Sequence, residues 1–299
     1  MSLWDTVVHT ARGAADRVVN PPRLRDASAL RAAVSGRTVL VTGASYGLGA
    51  ATARLLGTAG ATVLLVARTA DRLAALAAEI EAAGGRAVAY PADLSDETAV
   101  AELAETITER HGGLDVIVNN AGISLRRSLH LQYDRFHDFE RTIDINYLGP
   151  IGLLLGLLPA MRERGGGHIV NVSTIGVRIA PGPRWGAYQA SKGAFDTWLR
   201  SVSPEIRRDG VAVTTIYMAL IYTRMSAPTP IMRALPGLFP DEAAQIVARA
   251  IVRRPRDIEP WWVWPAGVAS AAAPGAMDLL MRGWVRCTRD TDAALGRSS

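Results

Sequence analysis

Short apolar runs recur along this 299-residue chain at 37–42 (RTVLVT), 61–67 (ATVLLVA), 86–90, 115–119 (DVIVN), 168–173 (HIVNVS) and 211–217 (VAVTTIY). They are rich in Val and Ile and mostly lack strict alternation, the pattern of strands that helices cover on both faces. Segments near 48–59, 69–83, 96–110, 134–163 and 188–207 have the length of crossover helices between them. The alternation predicts an α/β fold, a doubly wound parallel sheet of about seven strands. The seventh strand is expected at 261–264, after a helix over 241–254 that opens at Pro240-Asp241-Glu242. One domain over 36–265 is expected, with an N-terminal helical extension over 1–35 and a C-terminal extension over 266–299. That tail is rich in Ala, Gly and Pro and then helical near 276–287.

In the N-terminal extension Trp4, Val7, Val8, Ala11, Ala15 and Val18 fall at helical spacing, a stripe for packing on this protein, a sister subunit or a membrane surface. Asp5, His9 and Arg12 interrupt what a signal peptide would keep apolar. The 17 uncharged residues of 261–277 are broken by Pro265, Gly267, Pro274 and Gly275 and are not read as a membrane span. Peripheral membrane contact stays open, and the location expected is cytoplasmic.

Composition changes the picture in two places. Of 33 basic residues only Lys192 is a lysine, and the net charge is +5. The arginines are scattered, with no zinc spacing or aromatic RNA-binding motif, so no nucleic-acid partner is expected. Cys287 stands alone, which excludes an internal disulfide and fits a reducing compartment. The five histidines are dispersed, and no metal is expected.

The first run leads into Gly43-Ala44-Ser45-Tyr46-Gly47-Leu48-Gly49, between a strand and a helix. Glycines there permit a tight turn and let backbone approach a pyrophosphate at the helix N-terminus. At the end of the second strand, where a carboxylate would bind a ribose 2′-hydroxyl, the chain has Arg68. A guanidinium suits a 2′-phosphate, so NADP(H) is favoured over NAD(H).

With these features, Asp93-Leu94, Asn119-Asn120-Ala121-Gly122, Asn146, Ser173-Thr174 and Tyr188-xxx-Lys192 follow in order. Over about residues 36–265 the chain resembles the short-chain dehydrogenase/reductase family, whose domain is a Rossmann fold. The resemblance implies that Asp93 and Leu94 hold adenine and that Asn120, Ala121 and Gly122 line the cofactor. It also implies that Asn146 supports a water chain to Lys192, and that dimers or tetramers form through the helices near 134–163 and 188–207. Tyr188 and Lys192, four apart, share one helix face. Tyr188 would exchange a proton with a substrate oxygen, its phenol lowered by the Lys192 ammonium and an oxidised nicotinamide; both residues would also touch the cofactor. Family register from Asn171 favours Thr174 as the hydroxyl that orients the substrate, with Ser173 retained; neighbours on a strand point to opposite faces, so only one of the two enters the site.

Family members often carry Pro-Gly after the sixth strand; here Met218-Ala219-Leu220 replaces it, while Ile221 and Thr223 remain placed for the carboxamide of nicotinamide. Residues 224–240 read as a lid lined by Met225, Ile231, Met232, Leu235, Leu238 and Phe239, which favours a lipophilic substrate. The lid resembles that of the reductase domain of bacterial fatty-acyl reductases. The reading is an NADP(H)-dependent enzyme that interconverts a lipophilic carbonyl and its alcohol. A non-catalytic NADP-binding sensor or scaffold and a membrane-surface lipid-binding protein are the alternatives.

Overall fold

A computed structural model describes residues 19–229 and 235–296; the N-terminal apolar stripe, with Ile231 and Met232, lies outside them. Seven parallel strands form one sheet in the order β3-β2-β1-β4-β5-β6-β7. They are β1 (Thr38–Thr42), β2 (Thr62–Ala67), β3 (Arg86–Pro91), β4 (Val116–Asn119), β5 (Gly167–Thr174), β6 (Val211–Met218) and β7 (Asp257–Ile258). Strand order reverses beside β1, where the crossovers pass to opposite faces and open a crevice at the strands' C-terminal ends.

Burial on both faces explains the continuous apolar runs. Val39, Val41, Val63 and Leu65 enter one core, together with residues of α1 (Ala27–Val34), α2 (Gly47–Thr58), α3 (Ala70–Ala82) and α8 (Pro240–Arg253). Leu40, Leu64 and Val66 point the other way. They meet α4 (Glu97–His111), α6 (Gly149–Glu163) and α7 (Gly186–Arg207). Helix ends follow ordinary capping: Asp96 accepts from Thr98 N at 2.9 Å to start α4, and left-handed Gly112 ends it.

The helix expected over 134–163 is α5 (Phe136–Ile143), a π turn at Asp144–Leu148, and α6. It is long and apolar enough to cross a membrane by length and composition, but it packs along the sheet. Asn146 lies within the π turn, a feature that recurs at functional sites.

The seventh strand is not at 261–264. Asp257 and Ile258 pair with Thr215 and Ile216; Trp261 and Trp262 lie in the following turn, where Val263 N donates to the Pro260 carbonyl at 2.9 Å, and Trp264 is already helical. Tryptophan's strand preference yields here to a helix, α9 (Val263–Ala272), whose first turn accepts Pro265 without losing a hydrogen bond. Pro274 likewise opens α10 (Pro274–Cys287), so the tail is helical from 263 rather than from 276.

Candidate active site

The candidate residues come from the turns after β1, β2, β3, β4 and β6, from the end of β5, and from the π turn and α7. After β1, Gly43 takes φ +67°, and a Cβ there would lie 2.9 Å from Ala121 Cα. A Cβ on Gly49 would lie 2.2 Å from the Gly43 carbonyl oxygen. Backbone therefore packs where side chains would stand, a cradle that fits a dinucleotide's pyrophosphate. Thr42 Oγ1 accepts from Asn120 N and Ala121 N, each at 3.0 Å, and Asn120 Nδ2 donates to the Thr42 carbonyl at 2.9 Å. The Asn120-Ala121-Gly122 run is thus clipped to the glycine turn. Ser45 is half-buried in that turn and Leu48 is buried beneath it.

Tyr46 stands at the rim between two guanidinium groups, Arg224 at 4.5 Å and Arg72 at 5.1 Å from its ring centre. Arg68, at the end of β2, is exposed and lies 3.7 Å from the Asp93 carboxylate. Burial would raise that carboxyl, but hydrogen bonds from Ser95 and the Arg68 charge prevail and hold it below the usual range. Leu94 is buried, and its carbonyl sits 1.9 Å from where a Cβ on Gly149 would be, so α6 begins hard against it. From the other side, the Thr223 methyl lies 3.1 Å from a Cβ position on Gly47, which brings that residue to the glycine turn. Ile221 pairs with Leu238 in an isolated bridge and packs on the core. Of the described lid side chains Met225, Leu235 and Phe239 are exposed, whereas Leu238 belongs to the core instead of lining the lid.

At the opposite end of the crevice, buried Asn146 is held on both amide atoms. Its Oδ1 accepts from Ile123 N at 2.9 Å, and its Nδ2 donates to the Ile123 carbonyl at 3.0 Å and to Ser191 Oγ at 2.9 Å. Lys192 is buried, and its Nζ donates to the Val172 carbonyl at 3.2 Å. A Cβ on Gly122 would lie 2.6 Å from Asn146 Oδ1 and 3.1 Å from Lys192 Nζ, so both groups converge on the glycine that ends the clipped run. Tyr188 is half-buried, with the Thr174 hydroxyl near enough to favour its phenolate, and Thr174 Oγ1 accepts from Gly176 N at 3.2 Å. Ser173 is buried with its hydroxyl unpartnered, on the neighbouring strand position and away from this pair.

Burial dominates the electrostatics. It brings the Lys192 ammonium down to about 8. It pushes the Tyr188 phenol above its ordinary value, opposed by the nearby Thr174 hydroxyl. In the protein alone the phenol thus moves opposite to the lowering expected from Lys192, whose ammonium donates to the Val172 carbonyl.

Sequence reasoning passed over Ser191. Fully buried, it joins Asn146 to the Tyr188 carbonyl, to which its hydroxyl donates at 2.9 Å. Its only signal was a small polar residue beside Lys192 on the buried side of α7.

A parallel sheet with a glycine cradle at its switch point, and a tyrosine–lysine pair across the crevice, defines a dinucleotide-dependent oxidoreductase. The short chain dehydrogenase model matches residues 37–233, and the chain belongs to that family of enzymes, which act on C=O and CH–OH groups. An uncharacterized oxidoreductase of Mycobacterium bovis is 46% identical over 273 residues, covering 90% of this chain and 80% of the relative. The fatty acyl-CoA reductase of Acinetobacter baylyi is 43% identical over 263 residues, covering 88% and 89%. Among solved structures, a metagenomic short-chain oxidoreductase in complex with NADP is 33% identical, with a TM-score of 0.66 over 75% of this chain and 96% of that one.

Proposed function

We propose that this enzyme uses NADPH to reduce the carbonyl of a long-chain, lipophilic aldehyde or acyl-derived substrate, and that the reverse oxidation uses the same groups. The observation that carries the chemistry is the convergence of Asn146 Oδ1 and Lys192 Nζ on Gly122 at the C-terminal sheet edge, with Tyr188 four residues before Lys192 on α7. Gly43, Ser45, Tyr46, Gly47, Leu48 and Gly49 hold the pyrophosphate side, with Asp93 and Leu94 at the adenine and Asn120, Ala121, Gly122, Ile221 and Thr223 toward the nicotinamide. Bound there, the nicotinamide supplies the hydride to the carbonyl carbon. Tyr188 gives its phenolic proton to the substrate oxygen, so that C=O becomes CH–OH. Thr174 hydrogen bonds the same oxygen and orients it. Lys192 keeps a positive charge beside the phenolate that remains, and Asn146, locked by Ser191, lies on the route by which the proton is replaced.

Arg68 supports the preference for NADPH, since its exposed guanidinium at the end of β2 is free to leave Asp93 for a 2′-phosphate. The Acinetobacter reductase's fatty acyl-CoA substrate and the apolar lid side chains support the lipophilic class. The account includes a cytoplasmic enzyme in peripheral contact with membrane. It also includes homodimers or homotetramers built through α6 and α7; Leu155 on α6 and Leu148 at the end of the π turn before it are exposed. A non-catalytic sensor would leave the Thr174–Tyr188 pair without a task.

The test is NADPH consumption by the purified protein over aldehydes graded in chain length. The expected kcat/KM rises with chain length; turnover of short polar carbonyls alone would overturn the substrate class.

A further inference from the structure

Helices α9 and α10 present their polarity inside out. On α10 the stripe Asp278, Met281, Arg282, Val285 and Arg286 lines a shallow groove against Pro183. Ala276, Leu279, Leu280, Gly283, Trp284 and Cys287, at the complementary spacing, form an outward stripe without one charge, and no residue of α10 is buried. On α9 the body-facing side is small: a Cβ on Gly267 would lie 2.9 Å from the Arg178 carbonyl, and Ser270 donates to the Ala180 carbonyl. Its outward positions include Trp264 and Val268, both exposed. A helix facing water shows a polar outer side, so this face is built for something other than water.

We infer that the outward face of α9 and α10 docks on the surface of an anionic lipid bilayer. Three observations select a bilayer over a second copy of the chain. Trp261, Trp264 and Trp284 supply the ring type that settles at a membrane–water interface. Arg282 and Arg286 flank the apolar stripe against the single acid, Asp278, so the rim is complementary to lipid phosphates. The outward stripe has no charged group to set the register of a protein partner. The hairpin sits on the segment from Arg178 to Trp185 that leads into α7 and Tyr188, so docking brings the crevice to the layer that holds lipophilic substrates. That consequence rests on the proposed substrate class; the docking itself is measured without turnover.

The experiment is flotation of the full chain with vesicles of phosphatidylcholine, with and without phosphatidylglycerol. It is run beside the Leu279→Ser/Leu280→Ser variant, and NADPH consumption with a short soluble aldehyde reports that the variant is folded and active. The expected result is flotation with phosphatidylglycerol vesicles, weakened at high salt, and at least tenfold lower binding by the variant at undiminished turnover. Three results would overturn the inference: wild-type protein that stays in the dense fraction, a variant that floats equally, or a wild-type dimer in sedimentation that the variant breaks while neither floats. Flotation without turnover of any aldehyde would sink the enzymatic reading and leave the docking surface standing.

Discussion

Replacing Lys192 by methionine is expected to make the protein more stable at neutral pH and to abolish its turnover. The ammonium is buried, burial takes it from 10.5 to about 8, and its hydrogen bond in the protein is to the Val172 carbonyl. A native value below the unfolded one means that the unfolded chain holds more protons between pH 8 and 10.5. The cost of burying the charge is therefore complete below pH 8 and fades as pH rises toward 10.5. At about 1.4 kcal/mol for each pH unit, the 2.5-unit drop corresponds to about 3 kcal/mol at pH 7 and under about 1 kcal/mol at pH 10. Losing the Val172 bond costs the variant roughly 1 kcal/mol, so a gain of about 2 kcal/mol is expected at pH 7. Urea unfolding of both proteins at pH 7 and pH 10 measures it, and NADPH consumption follows activity. A Lys192→Met protein that is less stable at pH 7, or whose difference from wild type does not change with pH, would refute the reasoning.

Two further outcomes follow from groups at other places in the fold. His168 is fully buried, bonds Thr214 Oγ1 at 2.9 Å through Nε2, and is brought down by burial to about 3. The unfolded chain protonates this ring below about pH 6.5 while the native one stays neutral, so stability falls between pH 6.5 and 3; by pH 5 the loss is about 2 kcal/mol. His168→Gln removes that loss, and urea unfolding at pH 7.5 and pH 5 should show the variant gaining on wild type by this amount; parallel curves would contradict it. Arg68→Ala should lower the ratio of kcat/KM for NADPH to that for NADH roughly tenfold or more, the worth of a guanidinium–phosphate pair. An unchanged ratio would assign Arg68 to Asp93 alone.

Six strands were legible because burial on both faces leaves continuous apolar runs, and those runs locate the glycine turn, Arg68, Asp93, the Asn120-Ala121-Gly122 run and Thr174 at strand ends. The seventh was not. Asp257–Ile258 is two residues long, carries no apolar run, and exists through its register with Thr215 and Ile216. The tryptophans at 261–264 resemble a strand in composition, yet Pro260 turns the chain and Trp262 Nε1 donates to the Val19 carbonyl at 2.8 Å, a contact 243 positions away. In the crevice, the order of motifs led to Asn146, Tyr188 and Lys192, while Thr174 and Ser173 stayed alternatives because sequence does not say which strand face meets α7. In the structure the Thr174 hydroxyl acts to lower the Tyr188 phenol, while Ser173 is buried with its hydroxyl unpartnered. Ser191 escaped notice because its work is done by its partners, Asn146 Nδ2 and the Tyr188 carbonyl, which no spacing rule connects.

The account's central claim is that the Tyr188 phenol supplies the proton for carbonyl reduction. Steady-state NADPH consumption with a long-chain aldehyde, by wild-type protein and by Tyr188→Phe, tests it most directly when NADPH binding is measured alongside. The account predicts a fall in kcat of at least a thousandfold, with cofactor affinity retained, because the phenylalanine keeps the ring and loses only the hydroxyl. Turnover in Tyr188→Phe within tenfold of wild type would contradict it.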